Sequence, residues 1–189
     1  GKRSYLQLFF RQGLEETRLP TYSHQIRWKN TARIRNYLTE DLQNAIRGYD
    51  PVEEFTSQLP DGFQDWPLLH KAQFIEVKTF LSAYLLSSQG DRMAMANSVE
   101  GRYPFLDYRV MEFCARLPPS YKLKVLEEKY LLKRAFREEL PPEVIERAKQ
   151  PYRAPISRSF FAADAPDYVD SLLGSDGIRS KGYFQPSAV

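Results

Sequence analysis

The stretch Gly90–Arg109 reads GDRMAMANSVEGRYPFLDYR and mixes small, apolar and ionisable residues without forming a simple amphipathic helix. An amphipathic helix places apolar residues every three or four positions and its charges on the opposite face. Here the charged residues stand directly among methionine, valine, phenylalanine and leucine; they are Asp91, Arg92, Glu100, Arg102 and Asp107. Charges this close to apolar side chains are expected to be half-buried, and buried charges need a partner or a ligand. We therefore expect this stretch to line a functional site.

The segments upstream of this stretch predict helices. Asp50, Pro51 and Glu53 are typical of a helix start, with an N-cap aspartate and a proline at the first helical position. Thr39 followed by acidic residues predicts another start. Apolar residues at spacings of three and four predict a long helix over 67–87, with a buried stripe of Phe74, Val77, Leu81, Tyr84 and Leu85.

Helices are also predicted downstream. Asp107 predicts the N-cap of a helix whose inward side chains are Val110, Met111, Cys114 and Leu117. Further helices are predicted over Glu127–Glu139, from Pro142 and over Ala165–Leu173. The tail from Ser175 is predicted to be looped, with a last helix beginning near Pro186.

These patterns favour an all-α fold, because no run of alternating β-branched residues predicts a strand. We expect residues 1–189 to form a single domain that buries about 70% of the unfolded surface, as chains of this length do. The chain carries 27 basic and 24 acidic residues interspersed along its length. Its net charge of +3 therefore provides no basic stripe that would favour a nucleic-acid partner.

Several residue types exclude other classes of function. No apolar run approaches the ~20 residues needed to cross a bilayer. The single cysteine, Cys114, fits a reducing, cytoplasmic compartment and is predicted to be core. His24 and His70 have no third ligand at useful spacing and neither is predicted to pair with a nucleophile, so a zinc site is not expected.

Motifs spread along the chain identify a family. Besides Gly90–Arg109, they are Ser23–Thr31, KYLLK over Lys129–Lys133, Leu140-Pro141-Pro142 and RAKQPY over Arg147–Tyr152. In this order they resemble the C-terminal synthetase half of glutamine-dependent asparagine synthetase, over roughly Thr21 to Phe184. The resemblance implies the irregular helical, C-terminal part of an α/β adenine-nucleotide α-hydrolase-like synthetase domain whose parallel sheet lies upstream.

The resemblance also implies a reaction. Asparagine synthetases convert aspartate, glutamine and ATP into asparagine, glutamate, AMP and pyrophosphate through β-aspartyl-AMP. The family's nucleotide loop and its glutaminase cysteine are not in these 189 residues. We therefore expect a fragment that is inactive alone and needs an upstream ATP-binding segment and an N-terminal glutaminase domain of the same parent chain. ATP and Mg²⁺ would serve the full-length enzyme, and the fragment is expected to bind neither tightly.

Lys149 is the main catalytic candidate. The resemblance places it at a lysine that contacts the ATP phosphates just before a mobile loop, here Gln150–Ile156, which includes the pocket candidates Tyr152 and Arg153. An ammonium on a flexible stem suits developing phosphate charge, whereas the alternative is a solvated lysine near a helix end. The family's Gly-Phe is replaced here by Pro151 and Tyr152, which leaves the loop's closing motion open.

The other pocket candidates lie in the opening stretch. Asp91 with Arg92, and Glu100 with Arg102, are predicted to form ion pairs, and the resemblance implies that they lie beneath the acyl-adenylate pocket. A structural ion pair and a pocket lining both remain open for Glu100 and Arg102. Lys129 is interpreted mainly as scaffold, with a site role as the alternative.

Three other functions remain open at this point. A relative could amidate another carboxylate or close a lactam, because the contacts to the aspartate substrate are implied to lie mostly upstream. A non-catalytic helical module would bind partners without any effect of nucleotide. A basic nucleic-acid binder would show steep salt dependence. An exposed helical face would also leave self-association into a homo-oligomer open.

Overall fold

Helices dominate the computed structural model, which describes residues 16–150, 156–162 and 166–188. The α-helices are α1 Tyr22–Ala32, α2 Glu40–Ala45, α3 Pro51–Ser57, α4 Leu68–Glu76, α5 Arg92–Ala96, α6 Tyr108–Arg116, α7 Pro119–Lys122, α8 Tyr130–Ala135, α9 Pro142–Glu146, α10 Ile156–Phe161, α11 Asp167–Leu173 and α12 Ser175–Lys181. Short 3₁₀ helices occupy Arg33–Tyr37, Phe63–Asp65 and Pro104–Leu106, and a π-helix occupies Val77–Asp91. Strands β1 Leu123–Lys124 and β2 Glu127–Glu128 form one antiparallel hairpin. The all-α prediction is confirmed.

The described residues pack into two compact units. The first contains Gln25–Leu59 and the described residues that follow position 155, and the second contains Arg18–His24 and Pro60–Gln150. The single domain expected over residues 1–189 stays a prediction. Each unit is described by itself below.

Three aromatic rings form the centre of the second unit. Phe63 and Trp66 lie 5.1 Å apart between ring centroids, and both contact Phe74, at 5.4 and 5.6 Å. Next to Phe74 in sequence, Ile75 is fully buried. The Lys71 ammonium is also buried and donates to the carbonyl of Gln64 at 2.6 Å. This cluster fixes the start of the long helix to the turn before it.

The long predicted helix exists but changes its hydrogen bonding partway along. It begins at Leu68 and continues to Asp91, and from Val77 onward it is a π-helix, whose hydrogen bonds join residues i and i+5. A turn of this kind holds more residues than an α-helical turn, so a stripe spaced by three and four does not stay on one face. Phe74 and Leu81 are half-buried, whereas the remaining stripe residues Val77, Tyr84 and Leu85 are exposed. The predicted stripe is therefore only partly correct.

The first unit is held by contacts between elements distant in sequence. Leu38 forms a β-bridge with Phe184, and the Thr39 amide donates to the Tyr183 carbonyl at 3.0 Å. Trp28 and Phe55 pack edge to face at 5.6 Å. Among the described residues of this unit, the buried side chains are Val169 on α11 and Ile178 on α12.

The tail differs from the prediction. A helix, α12, replaces the expected loop, and residues 186–188 form a turn where a last helix was predicted. Asp176 in the first turn and Arg179 in the last complement the helix dipole, and this signal outweighs the glycine and serine content. Gly177 is required here, because a Cβ atom at this position would lie 2.1 Å from the carbonyl oxygen of Ser171.

Two predicted N-caps are confirmed. The Asp50 carboxylate accepts from the amide of Val52 at 2.8 Å, with Pro51 at the first position of α3. The Asp107 carboxylate accepts from the amide of Arg109 at 2.9 Å and begins α6. Thr39 precedes α2 as predicted, but its side chain makes no capping hydrogen bond.

The hairpin before α8 was not predicted. Leu123 pairs with Glu128 and Lys124 with Glu127, so the helix expected over Glu127–Glu139 begins only at Tyr130 and ends at Ala135. Lys129 has a φ of 58°, in the left-handed region, and separates β2 from α8. The residues of this turn carry no glycine or asparagine to signal it.

Val125, in the hairpin turn, has a φ of 57° and is 86% exposed. A β-branched residue is strained in this conformation, which asparagine tolerates. We expect Val125→Asn to raise the free energy of unfolding by about 1 kcal/mol, measured by urea denaturation. Val144→Asn, on α9 at 55% exposure, is the matched control and should give no such gain. An equal gain from both variants would contradict the assignment of strain to Val125.

The core is smaller than the chain length predicts. In the described ranges the buried apolar side chains are Phe63, Ile75, Val169 and Ile178, while many large apolar side chains remain exposed. Within the same ranges, no helix combines the length and the apolar character needed to cross a membrane.

Candidate functional site

A cavity of about 720 Å³ lies in the second unit, bordered by the β1–β2 hairpin, α8, α9 and the segment after α9. Its apolar lining comes from Leu126, Leu132, Leu140, Val144 and Ile145. A volume of this size falls within the ~300–1,000 Å³ that small-molecule sites commonly occupy.

Basic side chains outnumber acidic ones around this cavity. Four basic residues border it, Lys129, Lys133, Arg147 and Lys149, against the carboxylates Glu127 and Glu128. Ammonium and guanidinium groups over an apolar floor suit an anion with several oxygen atoms, phosphate above all. We refer to this feature as the cationic cavity.

Lys149 reaches the cationic cavity because α9 ends just before it. Pro142 begins α9 at its first position, and Arg147 then leaves helical geometry with φ −58° and ψ 124°. The chain beyond Arg147 is irregular, which frees the Lys149 side chain from a helix face. Its Nζ lies 3.7 Å from Oε2 of Glu128, and the Lys149 side chain is 66% exposed.

Lys129 is brought to the same cavity by its backbone. Its left-handed conformation ends β2 and lets α8 begin at the next residue. Both Lys129 and Lys149 therefore border one concave surface, although they are 20 residues apart in sequence. The functional roles of both lysines stay predictions.

The cavity residues that carried no site role in the sequence interpretation include Glu128, Lys133 and Arg147. Each lies in or beside a motif noted above, KYLLK or RAKQPY. The missing information was the hairpin, because only the chain reversal at Val125 and Leu126 brings Glu128 to face the segment after α9.

The charges of Gly90–Arg109 are not arranged as predicted. Glu100 and Arg102 do pair, at 3.0 Å, but their side chains are 73% and 81% exposed. Asp91 and Arg92 are also exposed, and no ion pair joins them, since neighbours in a helix do not face each other. The prediction that these charges are half-buried is wrong for these four residues and correct for Asp107.

The reason is that the apolar residues beside these charges are exposed as well. Met95 is 77% and Phe105 70% exposed, so these apolar neighbours provide little packing that would bury a charge. None of Asp91, Arg92, Glu100 and Arg102 borders the cationic cavity. The ion pair of Glu100 and Arg102, being solvated, is therefore expected to contribute little to stability.

Hydrogen bonds from Arg109 fix the Asp107 carboxylate in place. Its carboxylate accepts from the Arg109 guanidinium at 2.9 and 3.0 Å and from the Arg109 amide. These hydrogen bonds from Arg109 hold the pKa of the Asp107 carboxyl below its ordinary value. Asp107 thus acts as a helix cap, as its position in the sequence indicated.

Tyr152, Arg153 and most of the predicted loop Gln150–Ile156 lie outside the described residues. Their assignment to the pocket stays a prediction.

A second cavity of about 720 Å³ is mainly apolar and separates α4 from α6. Trp66, Phe74, Val110 and Met111 border it, together with Cys114. Cys114 is exposed, so the prediction that it is core is wrong. Val110, Met111 and Cys114 of the predicted inward face do line this groove, but all three are exposed and Leu117 does not line it, so the predicted inward face is only partly correct. At the edge of the groove, burial lowers the pKa of the Lys122 ammonium.

The histidines bear on nucleophilic and metal-ligand chemistry. His24 is buried, its Nδ1 lies 2.8 Å from the Ser23 hydroxyl, and its Nε2 lies 3.3 Å from Oε1 of Glu76. The contact with Ser23 is local, between neighbours in sequence, and the prediction that neither histidine pairs with a nucleophile stays a prediction. The buried ring joins the start of α1 to the end of α4, which is a structural role. In the described part of the chain, no group of three or more potential ligands could hold a metal ion.

Known proteins are similar to this sequence. The family model of asparagine synthase matches residues 2–189. Amidase chyE of Penicillium rubens is 35% identical over 140 residues, covering 70% of this chain and 20% of that protein. Amidase chry2 of Gibberella zeae is 33% identical over 62% of this chain and 18% of its own length.

A named synthetase is related at a similar level. Asparagine synthetase 1 of Bacillus subtilis is 35% identical over 105 residues, which cover 56% of this chain and 16% of the synthetase. The chain spans about a fifth of the length of the curated relatives it matches. No solved structure matches the chain. The family model extends over nearly all residues, through the hairpin and helices that form the cationic cavity, and the chain belongs to the asparagine synthase family.

Proposed function

We propose that this chain supplies part of the phosphate-binding surface of an ATP-dependent carbon–nitrogen ligase that uses glutamine as amide donor. The observation that carries the proposal is the cationic cavity, where Lys129 and Lys149 meet Lys133 and Arg147 in a family of asparagine synthases. The chain alone is proposed to be inactive, because it covers about a fifth of its relatives.

The residues of the cationic cavity fit a triphosphate. Lys149 and Lys129 would contact phosphate oxygens, while Arg147 offers the planar fork of donors that suits such groups. ATP, when bound, supplies the adenylyl group that activates the substrate carboxylate, with pyrophosphate as the leaving group. The chain's contribution is to hold the departing phosphates and to stabilise their charge.

The same residues do not fit Mg²⁺. The two carboxylates of the cavity, Glu127 and Glu128, are outnumbered by cations, and Glu128 is paired with Lys149. A hard cation would compete poorly there. We propose that acids elsewhere in the complete enzyme hold the metal together with ATP.

The exposed apolar residues of Gly90–Arg109 are proposed to meet a partner segment. Four apolar residues of this stretch are each more than half exposed: Met93, Met95, Val99 and Phe105. An exposed apolar patch rimmed by polar residues, here Glu100 and Arg102, is typical of an interaction surface. We propose that the ATP-binding segment of the parent enzyme covers this face and that an N-terminal glutaminase domain supplies ammonia. Burial by that segment would give the ion pair the low-dielectric surroundings it lacks here.

Aspartate is the proposed substrate, and the alternative is another carboxylate. The alternative rests on the two relatives named as amidases, which match this chain as closely as the synthetase does. Under either proposal the cationic cavity performs the same step, because carboxylate activation by ATP does not depend on the rest of the substrate.

Product analysis of the complete enzyme tests the proposal. With aspartate, glutamine and ATP, we expect asparagine, AMP and pyrophosphate by mass spectrometry. No asparagine, but pyrophosphate exchange with another carboxylate from a panel, would favour the alternative. No exchange with any carboxylate would contradict the proposed function.

A further inference from the structure

Glu128 and Lys149 face each other across the cationic cavity. Both border it, and Nζ of Lys149 lies 3.7 Å from Oε2 of Glu128. Glu128 lies on β2, where pairing with Leu123 holds its backbone, whereas Lys149 lies in the irregular segment after α9. A carboxylate on a backbone fixed by strand pairing therefore faces a lysine with a flexible side chain.

We propose that Glu128 is the resting counter-ion of Lys149 and a positioning residue for pyrophosphate release. Without ligand, Glu128 keeps the Lys149 ammonium at the cavity. When pyrophosphate binds, the ammonium turns to the phosphate, and when pyrophosphate leaves, Glu128 takes the ammonium back. This inference rests on the function proposed above.

The exposure of the pair makes such an exchange feasible. The side chains are 51% and 66% exposed, and ion pairs of this kind are weak because water screens them. Pyrophosphate carries several negative charges and can contact Lys129, Lys133 and Arg147 at the same time, so it can displace a single carboxylate. A monoanion gains fewer of these contacts and still meets the repulsion of Glu127 and Glu128.

The proposed exchange also predicts whether Glu128 strengthens or weakens the affinity for pyrophosphate. If Glu128 competes with the ligand for Lys149, loss of its charge must tighten pyrophosphate binding. If Glu128 instead only supports the fold of the hairpin, Glu128→Gln would loosen binding or leave it unchanged. The two roles therefore predict different signs.

The test is the product-inhibition constant of pyrophosphate in the complete enzyme. Glu128→Gln is expected to bind pyrophosphate about two- to fivefold more tightly, the range that a weak ion pair allows. The KM of the carboxylate substrate should stay unchanged. Glu143→Gln removes the same charge from an exposed position in the first turn of α9, outside the cavity lining, and is the matched control. The melting temperature of each variant should be measured to check that it is folded.

A double-mutant cycle with Lys149→Ala completes the experiment. In the Lys149→Ala background, Glu128→Gln should no longer tighten binding, because the ammonium for which Glu128 and pyrophosphate compete is absent. Equal tightening in both backgrounds, equal tightening by Glu143→Gln, or no tightening at all would overturn the inference. If Lys149→Ala alone leaves pyrophosphate affinity unchanged, the proposed function fails as well. If Lys149→Ala weakens pyrophosphate binding but Glu128→Gln does not tighten it, only this inference fails.

Discussion

Replacement of Lys149 by alanine in the complete enzyme is expected to slow carboxylate-dependent pyrophosphate exchange roughly 100- to 1,000-fold, the loss typical of one preorganised electrostatic group. The physical reason is that Lys149 is a mobile ammonium at a concave surface shared with Lys129, Lys133 and Arg147. Its proposed task is to stabilise charge that develops on the departing phosphates. Release of ammonia from glutamine should continue, because that step belongs to another domain.

Lys78→Ala is the matched control for this prediction. Lys78 is an exposed lysine of the same unit, over the ring of Phe74 at 6.0 Å and outside the cationic cavity. Its removal should change the exchange rate by less than about twofold, as for most surface substitutions. Pyrophosphate exchange within tenfold of the unsubstituted enzyme in Lys149→Ala would contradict the role proposed for this lysine.

The largest expected effect on stability comes from Ile75→Ala. Ile75 is fully buried beside the cluster of Phe63, Trp66 and Phe74, in a unit with few other buried side chains. Truncation removes apolar contacts and leaves a cavity, so the free energy of unfolding should fall by about 2–4 kcal/mol. Urea denaturation followed by far-ultraviolet circular dichroism measures this change.

Leu68→Ala removes a similar side chain from the first residue of the same helix, where the leucine is 68% exposed. It should cost less than about 1 kcal/mol, because little packing is lost. Similar losses from both variants would mean that Ile75 is not a packing centre and that the stability of the unit resides elsewhere.

Local signals predicted the helix starts well. Asp50 and Asp107 cap their helices through side-chain hydrogen bonds, and a capping residue acts within three positions along the chain. The sequence spacing also placed Val110 and Met111 on one face of α6. Neither prediction needed to know what packs against the helix.

Predictions that depended on the surroundings were less successful. Five charges of Gly90–Arg109 were expected to be half-buried because of their apolar neighbours. Only Asp107 is, and Met95 and Phe105 are exposed with the other four. Cys114 was placed on the correct face, but that face borders a groove. Burial depends on what covers a side chain, and composition within a segment does not contain that information.

Three changes in the backbone, two of them at the cationic cavity, also lacked a local signal. Val125 and Lys129 adopt left-handed conformations without glycine or asparagine, and the long helix becomes a π-helix at Val77 without a proline. Tertiary packing stabilises such conformations against the local preference of the residues. The pairing of Glu128 with Lys149 follows from the first of these changes.

The amino-acid sequence alone determined the family, the all-α class and the helix caps, because motifs and short-range hydrogen bonds are local properties. It also proposed Lys149 as the main catalytic candidate. Only the tertiary structure decided that Lys129, Lys133 and Arg147 join Lys149 at one cavity, with Glu128 opposite the ammonium. Those residues come from the hairpin, α8 and the segment after α9. Their meeting depends on a chain reversal at Val125, whose left-handed backbone opposes the conformational preference of a β-branched residue and therefore could not be predicted from that residue.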